Sequence, residues 1–102
     1  METILANKAV DLNEQGYLIN MEQWDKEVAQ AIAAEEDIYL ADRHFEVLDF
    51  LRKEHKNGTA LSIRKVGKSG VVDIKEFYAL FPDGPLKKAS RIAGIPKPAS
   101  CI

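Results

Sequence analysis

The sequence has few cysteines and no long apolar run, and both shortages limit what the protein can do. Its 102 residues contain one cysteine, Cys101, so no disulfide can form within the chain. No uninterrupted apolar stretch approaches the roughly 20 residues that a membrane-spanning helix needs. The N-terminus also lacks a basic segment followed by an apolar one. We therefore expect a cytoplasmic protein that has no membrane partner.

Local signatures of metal, phosphate and nucleophile chemistry are missing too. His44 and His55 are the only two histidines, and they lie about three turns apart on one predicted helix, too far apart to share a metal ion. Neither a phosphate-binding loop nor a Gly-x-Ser-x-Gly motif is present. We expect no metal and no cofactor.

Charges of both signs are present, but they are unevenly distributed along the chain. Residues 1–37 carry nine acidic residues and two lysines, a net charge of −7. Residues 38–102 carry twelve basic and seven acidic residues, a net charge of +5. Two interpretations stay open: each half faces a partner of opposite charge, or both halves are simply solvated.

Hydrophobic periodicity predicts an α+β protein that is mostly helical. The predicted elements are a hairpin around residues 6–8, a turn over 13–16, helices over about 21–35 and 42–56, a short helix or turn over 61–66, and helices over 74–81 and 85–93. Asn20 is the predicted cap of the first helix, and Trp24 is predicted to anchor the core against the hairpin. We predict one compact unit of three parts: an N-terminal α/β part (1–38), a helical bundle (39–94) and a C-terminal arm (95–102).

The arm carries the residue that we expect to do the chemistry. Gly94 is predicted to end the last helix, and the prolines at 96 and 98 favour an extended chain up to Cys101. A penultimate cysteine after two prolines is poorly placed for a core, so we interpret Cys101 as a thiol that partners can reach. The thiolate is the nucleophile. Arg91 and Lys97 would favour the thiolate, whereas the terminal carboxylate of Ile102 would oppose it.

Several segments together form a specific pattern. They are residues 77–85, 89–98 and 101–102 near the C-terminus, and residues 14–18, Trp24 and residues 43–52 upstream. This pattern resembles the DsrC/TusE family of sulfur-trafficking proteins over nearly the whole chain. The resemblance implies a small α/β part, then an orthogonal helical bundle related to winged helices, and a mobile arm. It also implies that Cys101 carries persulfide sulfur.

Ser90 departs from one branch of that family. Members that act with dissimilatory sulfite reductase have a second cysteine at this position. The single cysteine is similar to the TusE-type branch, which relays persulfide sulfur toward thiolation of the tRNA wobble uridine. The region between Gly58 and Asp73 is shorter than usual, and the family's Ser-Pro-Ala-Ile-Arg appears here as residues 60–64.

The resemblance further implies a basic surface. Its members here would be Arg64, Lys65, Lys87, Lys88 and Arg91. The functional interpretation is docking on acidic partner surfaces, or support of the anionic persulfide by Arg91 or Lys97. The simpler interpretation is that these side chains only keep the protein soluble.

We therefore predict a sulfur carrier of the sulfurtransferase type rather than a self-sufficient enzyme, with donor and acceptor proteins as its partners. One alternative is a DsrC-like paralogue that interacts with sulfite-reductase or heterodisulfide-reductase-type partners. A second is a regulator that forms mixed disulfides. A third is a DNA-binding module, against which the sequence pI of 5.7 argues, so we expect no nucleic-acid partner.

Overall fold

The first element is a β-hairpin, and the elements named after it are all helical. A computed structural model describes residues 2–98, so Cys101 and Ile102 lie outside the described residues. The elements are β1 (Glu2–Leu5), β2 (Lys8–Asp11), a 3₁₀ turn (Met21–Gln23), α1 (Lys26–Glu35), α2 (Asp42–Lys56), α3 (Ile63–Gly67), α4 (Ile74–Leu80) and α5 (Pro85–Ile92). The predicted α+β, mostly helical fold is confirmed, while a relationship to winged helices stays a prediction.

The hairpin forms because its two-residue loop accepts a left-handed backbone. Ala6 and Asn7 have φ of 53° and 65°, as a type I′ turn requires. The strands pair antiparallel with Thr3 opposite Val10. Val10 is buried, so one face of the hairpin packs on the core.

The first predicted helix is divided in two. Asn20 caps only the short 3₁₀ turn, and Asp25 begins α1 by accepting the Val28 N–H at 2.8 Å. Lys8 and that N–H hold the pKa of Asp25 below its ordinary value. An aspartate is a strong cap, so it starts a new helix and leaves Trp24 extended between the two pieces (φ −82°, ψ 139°). The prediction of one continuous helix was wrong at this point.

The later helices begin and end as their capping residues predict. α2 has the predicted bounds. Asp73 caps α4 by accepting the Glu76 N–H at 2.7 Å. Pro85 occupies the first turn of α5, directly after a left-handed Gly84.

The core lies between the helices, with α5 at its centre. α5 contacts α1, α2 and α4. Its apolar side includes Leu86 and Ile92, both fully buried, and each such side chain contributes about 1.5–3 kcal/mol. Since α5 leads directly into the arm, the start of the arm is fixed to the most buried helix. Among residues 2–98, no helix combines the length and apolar character needed to cross a membrane.

Candidate functional site

The start of the arm is fixed by a Schellman motif at the end of α5. Gly94 has φ of 71°, and its N–H donates to the Arg91 carbonyl at 3.2 Å. The Ile95 N–H donates to the Ser90 carbonyl, also at 3.2 Å. Ile95 is buried, so the arm leaves the core only after this residue. The prediction that Gly94 ends the helix is confirmed.

Two side chains from other elements bind the last carbonyls of α5. Trp24 Nε1 donates to the Ile92 carbonyl at 2.7 Å, and Arg52 Nη1 donates to the Ala93 carbonyl at 2.7 Å. The Arg52 guanidinium also lies 4.2 Å from the centroid of a Trp24 ring, a cation–π geometry. We call Gly94, Ile95, Trp24 and Arg52 the arm base.

The roles of Trp24 and Arg52 differ from what the sequence predicts. Trp24 is only half-buried, and it stabilises the end of α5 in addition to packing against the core. Arg52 was not predicted to act here, although it lies in the last two turns of α2, within the segment that carries the family resemblance. Burial lowers the pKa of Arg52, with Asp49 opposing, but a guanidinium stays charged at physiological pH.

Beyond Ile95, the described residues of the arm run beside the end of α2. Lys97 and Pro98 line a cavity of about 190 Å³ together with His55 and residues 59–61. This is where the structure places Lys97, the predicted cation closest in sequence to Cys101. Cys101 itself follows three residues after Pro98 and lies outside the described residues.

Arg91 is held in a polar crevice rather than turned to solvent. Its guanidinium donates to the Gly16 carbonyl at 3.0 Å, to Glu36 at 2.8 Å and to Glu35 at 2.6 Å. Its side chain is only 15% exposed. Two carboxylates already balance this cation, and it connects α5 to α1. Arg91 was expected to belong to a basic surface, but Glu35 and Glu36 enclose its cation.

Lys87 and Lys88 lie beside Arg91, whereas Arg64 lies elsewhere. The two lysines and Arg91 line a cavity of about 310 Å³, where Lys88 Nζ is 3.6 Å from a Glu36 oxygen. Arg64 lines a different cavity of about 550 Å³, and the other lining residues there are Phe50, Glu54, Ser62, Lys65, Lys68 and Ser69. The predicted basic surface is therefore two separate groups of cations, with Lys97 in a third place.

Ser90, which the resemblance predicts to stand at the position of a second family cysteine, is a fully buried polar residue. Its Oγ has no hydrogen-bond partner among residues 2–98. A buried hydroxyl without a partner costs about 1–3 kcal/mol. The environment of Ser90 is thus better suited to an apolar or thiol side chain than to a hydroxyl.

His44 is placed to stabilise the fold. His44 Nδ1 accepts the Ala41 N–H at 3.1 Å, which leaves Nε2 to donate to the Leu80 carbonyl at 3.0 Å. Both nitrogens of His44 are therefore occupied. Residues 2–98 contain no group of three or more histidine, cysteine or acidic side chains arranged to hold a metal ion.

The chain is similar to proteins of sulfur metabolism over nearly its whole length. The family model described as "DsrC like protein" matches residues 4–102. A protein named sulfurtransferase TusE from Salmonella typhimurium is 38% identical over 107 residues, covering 97% of this chain and 98% of the relative. The gamma subunit of a dissimilatory-type sulfite reductase from Nitratidesulfovibrio vulgaris is 34% identical over 103 residues, covering 99% of this chain and 98% of that subunit.

A solved structure agrees with these similarities. The oxidized gamma subunit of dissimilatory sulfite reductase (DsrC) from Archaeoglobus fulgidus matches with a TM-score of 0.82 and 35% identity, covering 100% of both chains. The similarity therefore extends to the backbone as well as to the sequence.

Proposed function

This chain belongs to the family of DsrC-like proteins, and we propose that it is a sulfur carrier whose Cys101 accepts persulfide sulfur from one protein and passes it to another. The observation that carries the proposal is the continuity of the family match. It runs to residue 102 and so includes the penultimate cysteine as well as the helical body.

The chemistry that we propose needs only a thiolate and a persulfide donor. The Cys101 thiolate attacks the outer sulfur of a donor persulfide, R–S–SH. A new S–S bond forms to Cys101 as the donor's S–S bond breaks, and the donor leaves as the thiolate R–S⁻. The terminal proton stays on the transferred sulfur, so the step consumes no external oxidant or reductant. The same reaction, with Cys101 as the donor, delivers the sulfur to the next thiol.

The arm base supports this function by fixing the place from which the arm extends. Ile95 is buried and the Gly94 turn is closed by hydrogen bonds, so the arm has a defined origin on the body. Cys101 is the third residue after Pro98, and a fully extended chain over those three steps spans at most about 11 Å. A thiol on such a reach can enter a partner's cleft while the helices stay outside it.

Ser90 favours a TusE-like route over a DsrC-like one. With one cysteine in the chain, Cys101 has no second thiol of its own chain to resolve a persulfide or to close a disulfide. We therefore infer a relay toward 2-thiouridine formation in tRNA, in which another protein's thiol takes the sulfur. The second candidate function is to act with a sulfite-reductase-type partner. The 34% identity to a sulfite reductase gamma subunit supports this candidate.

Sulfur loading is the direct test. The full chain is incubated with a small-molecule persulfide donor, and intact mass should rise by about 32 Da, the mass of one sulfur atom, with the adduct at Cys101. Cys101→Ser should show no adduct, and Ser90→Ala, which leaves the thiol in place, should load like the wild type. Equal loading of Cys101→Ser would exclude the proposed carrier residue.

Lys97 is better placed than Arg91 to stabilise the thiolate. Two carboxylates already neutralise Arg91, whereas Lys97 lies four residues before Cys101 on the arm. Lys97→Gln should raise the pKa of the Cys101 thiol, shifting the pH profile of alkylation to higher pH. Arg91→Gln is the comparison, and an equal or larger shift there would show that Arg91 supports the thiolate after all.

The exposed cations of the two groups are proposed to dock acidic partner surfaces. Arg64 and Lys65 are exposed on α3, and Lys87 is exposed on α5. Charge-steered docking predicts that Arg64→Gln and Lys87→Gln slow sulfur transfer to an acceptor protein at low salt, while loading from a small donor is unchanged. An unchanged transfer rate at low salt would show that these side chains do not dock a partner and only keep the protein soluble.

A further inference from the structure

Tyr39 is an aromatic residue that the fold turns out to solvent. Its side chain is 91% exposed, more than any other large hydrophobic side chain among the described residues. Its two neighbours face the protein: Leu40 is 6% exposed, and Ile38 packs against the core. In an extended segment successive side chains point to opposite sides, so anchoring 38 and 40 forces residue 39 outward.

The backbone that presents Tyr39 is fixed by the end of α1. Asp37 has φ of 57°, and its N–H donates to the Ala34 carbonyl at 3.1 Å. The Ile38 N–H donates to the Ala33 carbonyl at 2.9 Å, which completes a Schellman motif. The tyrosine therefore stands on an ordered turn, and binding through it needs little further ordering of the backbone.

A cavity lies beside the tyrosine. It has a volume of about 350 Å³ and is lined by Gln30, Ala34, Ile38, Tyr39 and Leu40. Four of these five side chains are predominantly apolar. An exposed aromatic next to an apolar recess is the arrangement found at the centre of protein–protein contacts. We call these five residues the Tyr39 surface.

The charges around the Tyr39 surface are mainly negative. Asp37 and Asp42 are exposed within three residues of the tyrosine, and Glu27 is one turn before Gln30 on the same side of α1. None of these three carboxylates forms an ion pair within residues 2–98. The neighbouring cation, Lys26, has its amine 5.4 Å from the centroid of the Phe45 ring.

We propose that the Tyr39 surface binds a basic segment of a partner protein, one that places a leucine or phenylalanine in the cavity between flanking lysines or arginines. The apolar recess takes the side chain, and the unpaired carboxylates take the flanking cations. The negative charges of Glu27, Asp37 and Asp42 steer such a segment to this surface.

This surface is distinct from the arm base and does not depend on Cys101. Trp24 precedes α1, whereas Tyr39 follows it, and the ten residues of α1 span about 15 Å. A partner held at the Tyr39 surface therefore leaves the arm unobstructed.

The probe is a pair of synthetic fluorescein-labelled dodecapeptides, each with a central Leu-Phe. One peptide has lysines and arginines on both sides and the other has glutamates. Titration into the full chain, followed by fluorescence anisotropy, should show saturable binding of the basic peptide, at least about tenfold tighter than the acidic one. Amide shifts in ¹⁵N-labelled protein should map to residues 30–42.

Matched variants locate the binding. Tyr39→Ser should weaken the basic peptide by about tenfold or more. Ala34→Lys, which places a cation in the recess at an exposed helical position, should do the same. Tyr78→Ser removes another exposed tyrosine, on α4, and should leave the affinity unchanged. Sulfur loading of Tyr39→Ser from a small persulfide donor should equal that of the wild type, so this test is separate from the test of Cys101.

Three results would overturn the proposal. The first is no saturable binding of the basic peptide, and the second is equal binding by the wild type and Tyr39→Ser. The third is a concentration-dependent dimer in sedimentation that Tyr39→Ser abolishes. That result would show that a second copy of the chain, and not a basic partner segment, covers the surface.

Discussion

Two arginines on α2 brace the protein at opposite ends of that helix, and they do so through different acceptors. Arg52, near the C-terminal end, donates to the backbone carbonyls of Ala93 and, at 3.3 Å, Met21. Arg43, in the first turn, donates to both carboxylate oxygens of Glu76 at 2.7 Å, and also to the Val71 carbonyl. The first holds the arm base, and the second holds α4 and the segment before it.

The difference matters because carbonyls do not titrate and carboxylates do. The arm base is braced by contacts that acid does not remove. The α4 side depends on a carboxylate that acid can neutralise. The origin of the arm is therefore less sensitive to acid than the α4 side.

The largest expected effect is that of a methyl group at the arm base. In Gly94→Ala the new Cβ would lie 2.5 Å from Trp24 Cδ1, at a φ of 71° that alanine disfavours. We expect a loss of about 3 kcal/mol or more in the free energy of unfolding, because backbone strain and a steric clash add. Gly58→Ala is the control, with φ of 77° and no atom within 4 Å. Gly58→Ala should lower the free energy of unfolding by about 1–2 kcal/mol. Equal losses for the two variants in urea unfolding would contradict a steric clash at Gly94.

The second largest effect is expected from removing the Arg52 hydrogen bonds at the arm base. Arg52→Met keeps much of the aliphatic contact but leaves the Ala93 carbonyl without its 2.7 Å donor. We expect a loss of about 2 kcal/mol, typical of a charge-assisted hydrogen bond to a buried group. Arg43→Met is the comparison and should cost less, since the Arg43 side chain is 40% exposed. The reverse order in thermal unfolding would show that the α4 side is the more strongly braced.

Lowering the pH should weaken the contacts on the α4 side but not those at the arm base. Hydrogen bonding to Arg43 holds the pKa of Glu76 below its ordinary 4.5. The folded state therefore favours the carboxylate. The pair's contribution is present above pH 4.5 and is lost as pH falls through the lowered value. The stability difference between wild type and Glu76→Gln should thus shrink below pH 4.5, while the difference for Arg52→Met stays constant. If the stability differences for Glu76→Gln and Arg52→Met changed in parallel with pH, the result would contradict the assignment of acid sensitivity to Glu76.

The smallest expected effect is a gain in stability at Ser90. Ser90→Ala removes the buried hydroxyl that has no partner among the described residues, and should raise the free energy of unfolding by about 1 kcal/mol. Ser62→Ala is the opposite control, because the Ser62 Oγ caps α3 by accepting the Lys65 N–H at 3.1 Å. It should cost about 1 kcal/mol. Destabilisation by Ser90→Ala would show that the hydroxyl does have a partner.

The local features of the fold followed from the sequence because they depend on neighbouring residues. Asn7 predicts the hairpin turn, Asp73 the start of α4, and Gly94 the end of α5, and each does what its short-range chemistry requires. The wrong boundary at Asp25 was also local, since two good caps occur five residues apart. The family resemblance was readable from the sequence and is confirmed by the match over residues 4–102.

The roles of the charged side chains were decided by tertiary structure. Arg52 and Arg91 look alike in the sequence, yet one binds the carbonyl of Ala93 and the other is enclosed by Glu35 and Glu36, partners 41 to 56 residues away in the chain. The partners of each arginine depend on the packing angles between helices. They also depend on which backbone carbonyls in the core lack another donor. The hydrophobic periodicity of the sequence shows neither. The sequence alone determined that the chain has a single thiol, Cys101, in the segment that follows the two prolines. Only the packing of α1, α2 and α5 determined where the arm begins and which cations hold it there.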